Sequence, residues 1–331
     1  MNPKRWLFYI ITLATVLCAA TACCEPSPGP ADGKLADDTV ATLNSLEKVD
    51  DYPLYTMHYV GGYDRYRAGM DPGDRAWACS LFAAMGDLDD MQYGRNFDWE
   101  FSPALLLFTD PPDGYASVSM VDIAYLIDRD QVMSLTDLPL EAREPLLAAP
   151  FWPFDGMNEH GLVVGMAAVP GSEMPNDPSK ETLDSLTIIR EMLDHARDVD
   201  EAMAIMEKYN IDWGGGPPLH YLVADASGHA VLVEFHAGEM VLLPNDGPYH
   251  LATNHLRCTS TGSGGCWRYA ALDERLAETE GRLMPQDAID LLGDVAQEST
   301  QWSIVYGIST GDVHVAMGLN YDDVHTFHLD R

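Results

Sequence analysis

The chain has 331 residues, 47% of them apolar, and it carries 19 Lys and Arg against 52 Asp and Glu, a formal charge of −33. So acidic a surface repels phosphate backbones, which excludes a nucleic-acid-binding protein that depends on counterion release. The apolar content, with 27 Gly and 21 Pro, excludes a disordered acidic tail and a fibre. The length fits two ordinary domains, or one layered domain of roughly 250 residues after a leader.

The first residues have the composition of an export signal. Lys4 and Arg5 precede an uncharged run over residues 6–22, and small residues lead into Cys23. This order predicts a signal peptide over residues 1–22; the alternative is a permanent membrane anchor, because the run is at the lower length limit for spanning a bilayer. The segment before Cys23 is also similar to a weak bacterial lipobox, in which Cys23 would carry a lipid and attach the protein to a membrane. Residues 25–35 then form a polar, Pro-rich tether.

Three cysteines lie in the body of the chain, beyond this leader. Cys258 and Cys266 flank a Gly- and Ser-rich loop, which either closes as a disulfide outside the cytosol or holds two unpaired thiols. Cys79 is then the odd cysteine, and an odd thiol in an exported protein is a candidate reactive group.

The body of the chain predicts mixed α and β structure without internal repeats. An amphipathic helix over residues 36–48 is followed by a tyrosine-rich, extended segment to residue 70. Apolar runs bounded by turn residues predict strands, which span 79–85, 91–96, 104–108, 115–126, 161–169, 219–224, 229–235, 240–243, 249–254, 302–306, 313–317 and 324–329. Helical spacing, a capping box and an N-terminal Pro predict helices, which span 183–196, 198–209 and 285–297. Such blocks predict two stacked antiparallel sheets with helices outside.

Cys79 begins one of these strands, directly after the small residue Ala78. A thiol attacks as the thiolate, and an ordinary thiol pKa of about 8.5 leaves little thiolate at neutral pH. No histidine lies in a familiar local cysteine-protease signature. Cutting the chain between Ala78 and Cys79 would create an α-amino group, with a pKa of roughly 7.7–8.0, on the nucleophile's own residue. The cut would therefore supply the base.

Two charged residues follow Cys79 at distances that suit a returning strand, Arg95 and Asp98 within Gly-Arg-Asn-Phe-Asp-Trp. With Cys-Ser-Leu-Phe at 79–82, this segment resembles the choloylglycine hydrolase and penicillin V acylase group of N-terminal nucleophile hydrolases. It resembles still more the related acyl-coenzyme A:isopenicillin N acyltransferase-like linear amide C-N hydrolases. Further segments match in order, at 155–162, 219–228, 252–254, 267–269 and 300–303. The resemblance covers about residues 79–329 and implies an α+β fold, a four-layer αββα sandwich of two antiparallel sheets.

The resemblance also implies roles for the residues that match its motifs. Cys79 would be the nucleophile and, through its freed amine, the general base. Asp98 would hold the amine or the thiol by a hydrogen bond, and Arg95 would set the electrostatic environment of the thiolate. A structural ion pair between Arg95 and Asp98 is the alternative.

Three more residues complete the implied site. Asn158 and Asn254 would orient the amine and supply oxyanion-hole donors, and Arg268 would complete the charge network. Asparagines that merely satisfy backbone groups at turns are the alternative. The resemblance implies no metal and no organic cofactor. Three histidines match no zinc spacing and are expected to be core or supporting residues, namely His160, His220 and His255.

These features together predict an exported amidase, secreted or lipid-anchored, with a signal peptide at 1–22, a tether and pro-segment at 23–78 and a catalytic domain at 79–331. It would cleave a linear, non-peptide amide of an acylated amine or amino acid through a thioester on Cys79, which self-cleavage at Ala78–Cys79 would free as the N-terminal residue. The alternatives are acyl transfer to another amine, a non-catalytic exported binding lipoprotein of the same fold, and a cysteine peptidase that uses histidine.

The sequence gives two indications about the substrate. Only thirteen residues separate Asn254 from Arg268, where bile-salt hydrolases carry a long insertion, so bile salts are a poor first choice. Several apolar residues suit either an apolar acyl group or the core, namely Leu105, Leu106, Leu107, Phe108, Tyr115, Met120 and Trp152.

Overall fold

The computed structural model describes residues 35–67 and 78–331, so the predicted signal peptide and the lipid site at Cys23 lie outside the described residues. Two sheets contain most of the strands. The larger sheet has nine, which in spatial order are β1 (Glu47–Asp50), β2 (Leu54–Tyr59), β5 (Ala104–Thr109), β6 (Ser117–Asp122), β7 (Pro153–Asn158), β8 (Val163–Ala168), β11 (Leu219–Ala224), β12 (Ala230–His236) and β13 (Glu239–Pro244). The smaller sheet has six, which are β14 (Tyr249–Ala252), β3 (Ala78–Ala84), β4 (Gln92–Asp98), β15 (Thr300–Gly307), β16 (Asp312–Met317) and β17 (Val324–His328).

Neighbouring strands in the two sheets are antiparallel, with the exception of the parallel pair β2 and β5. A separate parallel pair consists of β9 (Glu181–Asp184) and β10 (Tyr209–Asp212). The α-helices are α1 (Asp37–Asn44), α2 (Leu140–Arg143), α3 (Thr187–His195), α4 (Val199–Met206), α5 (Trp267–Glu278) and α6 (Pro285–Asp294). Within the described part of the chain, no helix has both the length and the apolar composition needed to cross a bilayer.

The two sheets stack face to face, with helices on both outer faces. Between the sheets, the Tyr93 hydroxyl of β4 donates to the carbonyl of Leu222 on β11 at 2.9 Å. Gly165 on β8 permits this approach, because a Cβ there would lie 2.5 Å from the Tyr93 hydroxyl. Helices α5 and α6 cover the smaller sheet, where Leu272 and Ile289 share an apolar cluster with strand residues. Helices α3 and α4 contact β7, β8 and β11 of the larger sheet. The predicted four-layer αββα sandwich is therefore confirmed.

The residues before Cys79 are built into this sandwich. Strand β2 lies between β1 and β5, and Tyr55 within it is completely buried. The hydroxyls of Tyr55 and Tyr59 donate to the carbonyls of Val132 and Leu147, at 2.8 and 3.1 Å. Residues 37–331 form one compact unit. A cut between Ala78 and Cys79 would therefore fall inside a folded unit rather than between two.

Most predicted elements are present within a few residues, but some boundaries move. The helix predicted from residue 183 begins at Thr187, because residues 181–184 pair with β10 instead. The capping residue Asp198 is confirmed, since its side chain accepts from the Glu201 amide at 2.9 Å. Helix α5 was not predicted at all. The loop before it holds Cys258 and Cys266 as free thiols rather than as a disulfide.

Candidate active site

Cys79 is held by polar contacts at its thiol, its backbone nitrogen and its carbonyl oxygen. It is the second residue of β3, lies opposite Phe97 of β4, and is completely buried. Its Sγ is 3.5 Å from Nη2 of Arg95, and its backbone nitrogen donates to Oδ1 of Asn254 at 3.1 Å. Its carbonyl oxygen accepts from Nη1 of Arg268 at 2.5 Å. Three of the predicted site residues therefore contact Cys79 directly.

The electrostatic surroundings act on the thiol in opposite directions. Burial raises the pKa of the Cys79 thiol, because it removes water from the thiolate. The positive charge of Arg95 is the largest influence that lowers this pKa, and Arg268 lowers it further, whereas the Asp98 carboxylate raises it. The site therefore keeps a buried thiol next to a cation that can stabilise its ionised form.

Arg95 is fixed from the opposite sheet. It is completely buried on β4, and its Nη1 forms an ion pair with Oδ2 of Asp155 on β7. Its Nε donates to the carbonyl of Met166 on β8 at 3.3 Å. The second oxygen of Asp155 accepts from the Tyr306 hydroxyl at 2.5 Å. Burial raises the pKa of Asp155, and Arg95 and Tyr306 oppose that rise. The guanidinium thus bridges a carboxylate and the thiol across the space between the sheets.

Asp155 and Tyr306 were not among the predicted site residues. Asp155 is a carboxylate on a strand whose residues are all buried, and a buried charge requires a partner. A charged residue within an apolar strand was therefore the signal that could have identified Asp155. Asp155 also opens the matched segment 155–162, in which only Asn158 was selected. No feature of the local sequence distinguishes Tyr306 from the other tyrosines.

Asp98 lies on the helix-facing side of the same sheet. Its oxygens accept from the Thr300 hydroxyl at 2.6 Å and from the Gln297 amide at 2.5 Å. Oδ2 of Asp98 is also 3.6 Å from Nη1 of Arg268. Burial raises the pKa of Asp98, and the hydrogen bonds from Thr300 and Gln297 are the largest influences that lower it. Asp98 therefore acts on the thiol through Arg268 and through its charge, rather than by a hydrogen bond. The other predicted partner of Asp98, the amine, is in the uncut chain the backbone nitrogen that donates to Asn254.

Arg268 and Asn254 hold the backbone of Cys79 together. Arg268 is in the first turn of α5, and besides the Cys79 carbonyl it donates to the Ser80 hydroxyl at 2.8 Å and to Oδ1 of Asn254 at 2.7 Å. The side-chain nitrogen of Asn254 donates to the carbonyl of Ala168 at 2.7 Å. Asn254 is half-buried, whereas Cys79 beside it is completely buried. Its position suits the predicted role of orienting the nitrogen of Cys79.

Asn158 is a correction to the predicted site. Its side-chain nitrogen donates to the carbonyls of Leu193 and Ala196 at 3.0 and 2.7 Å, and its oxygen accepts from the amides of His160 and Leu162. These contacts fix the turn between β7 and β8 against the end of α3. The carbonyl that contacts Asn254 belongs to the opposite end of β8, which is about 15–20 Å away at the usual rise of a strand. Asn158 therefore stabilises a turn and is not brought to Cys79.

The three histidines lie outside the contacts of the Cys79 thiol. His220 is completely buried and bonded to Glu234 and to the Thr253 carbonyl. The ring of His160 packs edge-on against Tyr115, and the ring of His255 against Tyr269. Among residues 35–67 and 78–331, Arg95 is the side chain that hydrogen bonds to the thiol, so no described histidine takes its proton.

Aromatic side chains form a cluster beside Cys79. Phe97, directly opposite Cys79, stacks on Trp302 with ring centres 4.3 Å apart. Phe154 packs edge-on against Phe97 at 5.2 Å, and Tyr125 stacks on Trp152 at 5.4 Å. The surroundings of the thiol are therefore apolar apart from the charged groups described above.

The chain resembles known proteins both in sequence and in fold. Residues 152–307 match the model of the family described as acyl-coenzyme A:6-aminopenicillanic acid acyl-transferase. An uncharacterized protein of Paramecium bursaria Chlorella virus 1 is 31% identical over 109 residues, which are 30% of this chain and 38% of that relative. The match thus spans well under half the length of the viral protein.

Two solved structures with a similar fold are enzymes. A mutant conjugated bile acid hydrolase from Clostridium perfringens has a TM-score of 0.54 and 15% identity, covering 76% of this chain and 92% of its own. Penicillin V acylase from Agrobacterium tumefaciens has a TM-score of 0.51 and 17% identity, covering 76% of this chain and 87% of its own. The resemblance predicted from the motifs is confirmed: the chain has the fold of the N-terminal nucleophile hydrolases and, over residues 152–307, the sequence pattern of the acyl-coenzyme A:6-aminopenicillanic acid acyl-transferase family.

Proposed function

We propose that this chain is an exported amidase that hydrolyses a linear C–N amide of an acylated amine or amino acid through a thioester on Cys79. The observation that carries the proposal is the set of contacts at Cys79, where Arg95 contacts the sulfur while Asn254 and Arg268 bond the backbone nitrogen and oxygen. A packing cysteine needs no such partners. A nucleophile whose own nitrogen is the base needs both its sulfur and its nitrogen held in place.

The mechanism begins with self-cleavage. The Cys79 sulfur attacks the carbonyl carbon of Ala78 and the Ala78–Cys79 C–N bond breaks, which leaves an α-amine on Cys79 and a thioester that water hydrolyses to a carboxylate on Ala78 and the free thiol. This amine takes the thiol proton, and Arg95 stabilises the resulting thiolate. The sulfur attacks the amide carbonyl carbon of the substrate, and negative charge develops on the carbonyl oxygen. The Asn254 side chain and a backbone N–H stabilise this oxyanion.

The remaining steps return the enzyme to its starting state. The protonated amine gives its proton to the leaving nitrogen, the C–N bond breaks, and the acyl group stays on Cys79 as a thioester. The amine then accepts a proton from water, which attacks the thioester carbonyl and releases a carboxylic acid and the free thiol. Apart from water, the chain's own residues supply the proton acceptors and donors in this sequence.

The aromatic residues beside the thiol support an apolar acyl group as the part of the substrate that lies next to Cys79. Phe97 and Trp302 are completely buried and belong to the two strands nearest the sulfur on that side. An apolar acyl chain bound against such rings would gain about 25 cal/mol for each Å² of apolar surface removed from water.

Export is the second part of the proposal and rests on the composition of residues 1–23. The mature protein would be secreted or held at a membrane by a lipid on Cys23. Mass spectrometry of the protein purified from a native host would distinguish a free N-terminus after residue 22 from a lipid-modified Cys23. A protein that retains Met1 would contradict the predicted signal cleavage.

The cut and the reaction can be tested together. Intact-mass measurement of the purified protein is expected to show a new chain that begins at Cys79. Cys79→Ala is expected to abolish both this cut and amide hydrolysis, whereas the matched control Cys258→Ala, which removes another thiol, is expected to keep both. Hydrolysis that survives in Cys79→Ala would show that the nucleophile is a different residue. An uncut, inactive wild-type protein would favour the non-catalytic binding lipoprotein.

Acyl transfer is the second candidate, because the matched family model is that of an acyltransferase. Transfer uses the same thioester and differs in the group that attacks it. Screening acyl amides with the mature protein, with and without an added primary amine, separates the two reactions. A free carboxylic acid as the main product indicates hydrolysis, and a new amide indicates transfer.

A further inference from the structure

A buried ion pair lies directly beneath the loop that presents Asn254. His220 on β11 and Glu234 on β12 are both completely buried. Nδ1 of His220 is 3.1 Å from Oε1 of Glu234, and Nε2 of His220 is 2.7 Å from the carbonyl oxygen of Thr253. Neither residue contacts the Cys79 thiol, and the proposed mechanism gives neither of them a task.

The partners of His220 determine its protonation. A carbonyl oxygen can only accept a hydrogen bond, so Nε2 donates to Thr253. Glu234 is also an acceptor on both oxygens, because Oε1 receives the amide of Arg257 and Oε2 receives the amide of Cys258, each at 2.8 Å. Although burial alone would raise it, hydrogen bonds from His220 and these two amides lower the pKa of Glu234 to about 2. Both ring nitrogens of His220 therefore face acceptors.

We propose that His220 is a buried imidazolium and that, with Glu234, it positions Asn254 for the reaction at Cys79. The pair bonds the loop on both sides of Asn254: His220 holds the residue before it, and Glu234 holds the backbone three and four residues after it. Asn254 is thus fixed at its backbone by this pair and at its side chain by Arg268 and Ala168. His220 and Glu234 are positioning residues, and this inference rests on the proposed function.

Two other basic residues, Arg257 and His255, lie near the pair of His220 and Glu234. The Arg257 guanidinium lies over the Tyr269 ring, 4.4 Å from its centre. The His255 ring is on the far side of Thr253, with Nδ1 3.2 Å from the Thr253 hydroxyl. Burial lowers the pKa of His255, the positive charge of Arg257 and the proximity of His220 lower it further, and Glu234 raises it.

The protonation state is tested without any assay of activity. In ¹⁵N NMR spectra of the wild-type protein at neutral pH, both ring nitrogens of His220 are expected to be bonded to hydrogen. The signals of His220 are identified by their loss in the His220→Gln protein. One protonated and one bare nitrogen would overturn the inference. This measurement decides the matter even if the protein hydrolyses no amide, so it separates a failure here from a failure of the proposed function.

The positioning role is tested by kinetics of the mature protein. Glu234→Gln replaces an acceptor oxygen by a donor nitrogen and removes the charge that holds the imidazolium. We expect kcat to fall by about tenfold to a hundredfold, with KM changed much less, because a small misplacement of a catalytic group has this effect. The matched control is Tyr221→Phe, which removes a buried hydrogen bond to the Ser185 carbonyl at the residue next to His220 on β11. Equal kcat values for the two variants would overturn the role.

Discussion

The ion pair between Arg95 and Asp155 makes a prediction that can be worked through quantitatively. Substituting Asp155→Asn keeps the size of the side chain and an oxygen that can accept from the guanidinium, but it removes the negative charge. Both partners are completely buried, and they join the two sheets. The substitution therefore leaves a buried cation without its carboxylate partner, next to the Cys79 sulfur at 3.5 Å from Nη2.

Two effects of known size follow. Removing one partner of a buried ion pair typically costs about 3–5 kcal/mol in the free energy of unfolding. At about 2 °C per kcal/mol for a chain of this size, Tm should fall by about 6–10 °C. The Arg95 guanidinium contacts both the Asp155 carboxylate and the Cys79 sulfur, so the carboxylate and the sulfur lie within about 8 Å of each other. Two unit charges at that distance interact by about 2 kcal/mol at an effective dielectric constant of about 20. Loss of the carboxylate should therefore lower the pKa of the Cys79 thiol.

Thermal unfolding measures the change in Tm. The change in the thiol pKa is measured by following thiolate absorbance against pH, and a Cys79→Ser protein serves as the reference for the other thiols. Tyr306→Phe is the control, because it removes one hydrogen bond to Asp155 but leaves both charges, so it should cost only about 1.5–3 kcal/mol and shift the thiol pKa less. An Asp155→Asn protein that is as stable as wild type, or whose thiol pKa is unchanged, would refute the reasoning, since Asp155 would then not be ionised against Arg95.

Three further outcomes are expected. After cleavage at Ala78–Cys79 the two chains should stay together, because β2 lies buried between β1 and β5. Denaturing gels should then show two bands, and a native mass measurement should show one species. Separation of the two chains without denaturant would contradict this expectation. Asn158→Ala should lower Tm, since buried backbone groups lose partners worth about 1–3 kcal/mol each, but should leave kcat of the folded protein within a few-fold of wild type. The pKa of Glu234 falls from 4.5 to about 2 on folding, so its contribution to the free energy of unfolding should be fully present above about pH 4.5 and lost as the pH falls towards 2. Urea unfolding at about pH 3 and pH 6 should therefore show a free energy of unfolding that depends less on pH in Glu234→Gln than in wild type.

The roles of Arg95 and Asp98 show what the strand pattern could have added to the motif. The motif correctly placed both residues on the strand beside Cys79, because the two strands are local in sequence and joined by a short turn. The two residues are three positions apart, and side chains on a strand alternate between faces. Arg95 must then face the opposite sheet while Asp98 faces the helices, as the contacts of each confirm. Alternation alone therefore separates a residue that contacts the sulfur from one that does not.

Helix α5 could also have been predicted. Tyr269, Leu272 and Leu276 are buried at the spacing of one helical face, but the Gly-rich loop before them and the missing side-chain cap at Cys266 hide the start of the helix. The place of β2 is different, because its parallel partner β5 follows 45 residues after β2 ends and no local pattern specifies that pairing. Long-range pairing of this kind is decided by packing between distant segments, so the residues of one segment do not predict it.

In the proposed mechanism Cys79 is both nucleophile and base, and its contacts suit both tasks. Burial raises the pKa of the thiol, so the sulfur alone would stay protonated, while Arg95 favours the thiolate once a proton acceptor is present. An ordinary α-amine, with a pKa of roughly 7.7–8.0, is such an acceptor, and Asn254 already binds the nitrogen that becomes this amine. Arg268 holds the carbonyl of the same residue, so cleavage before Cys79 removes one covalent bond and leaves the remaining contacts of the residue in place. The uncut chain therefore already has the geometry that the reaction needs, and what it lacks is the base.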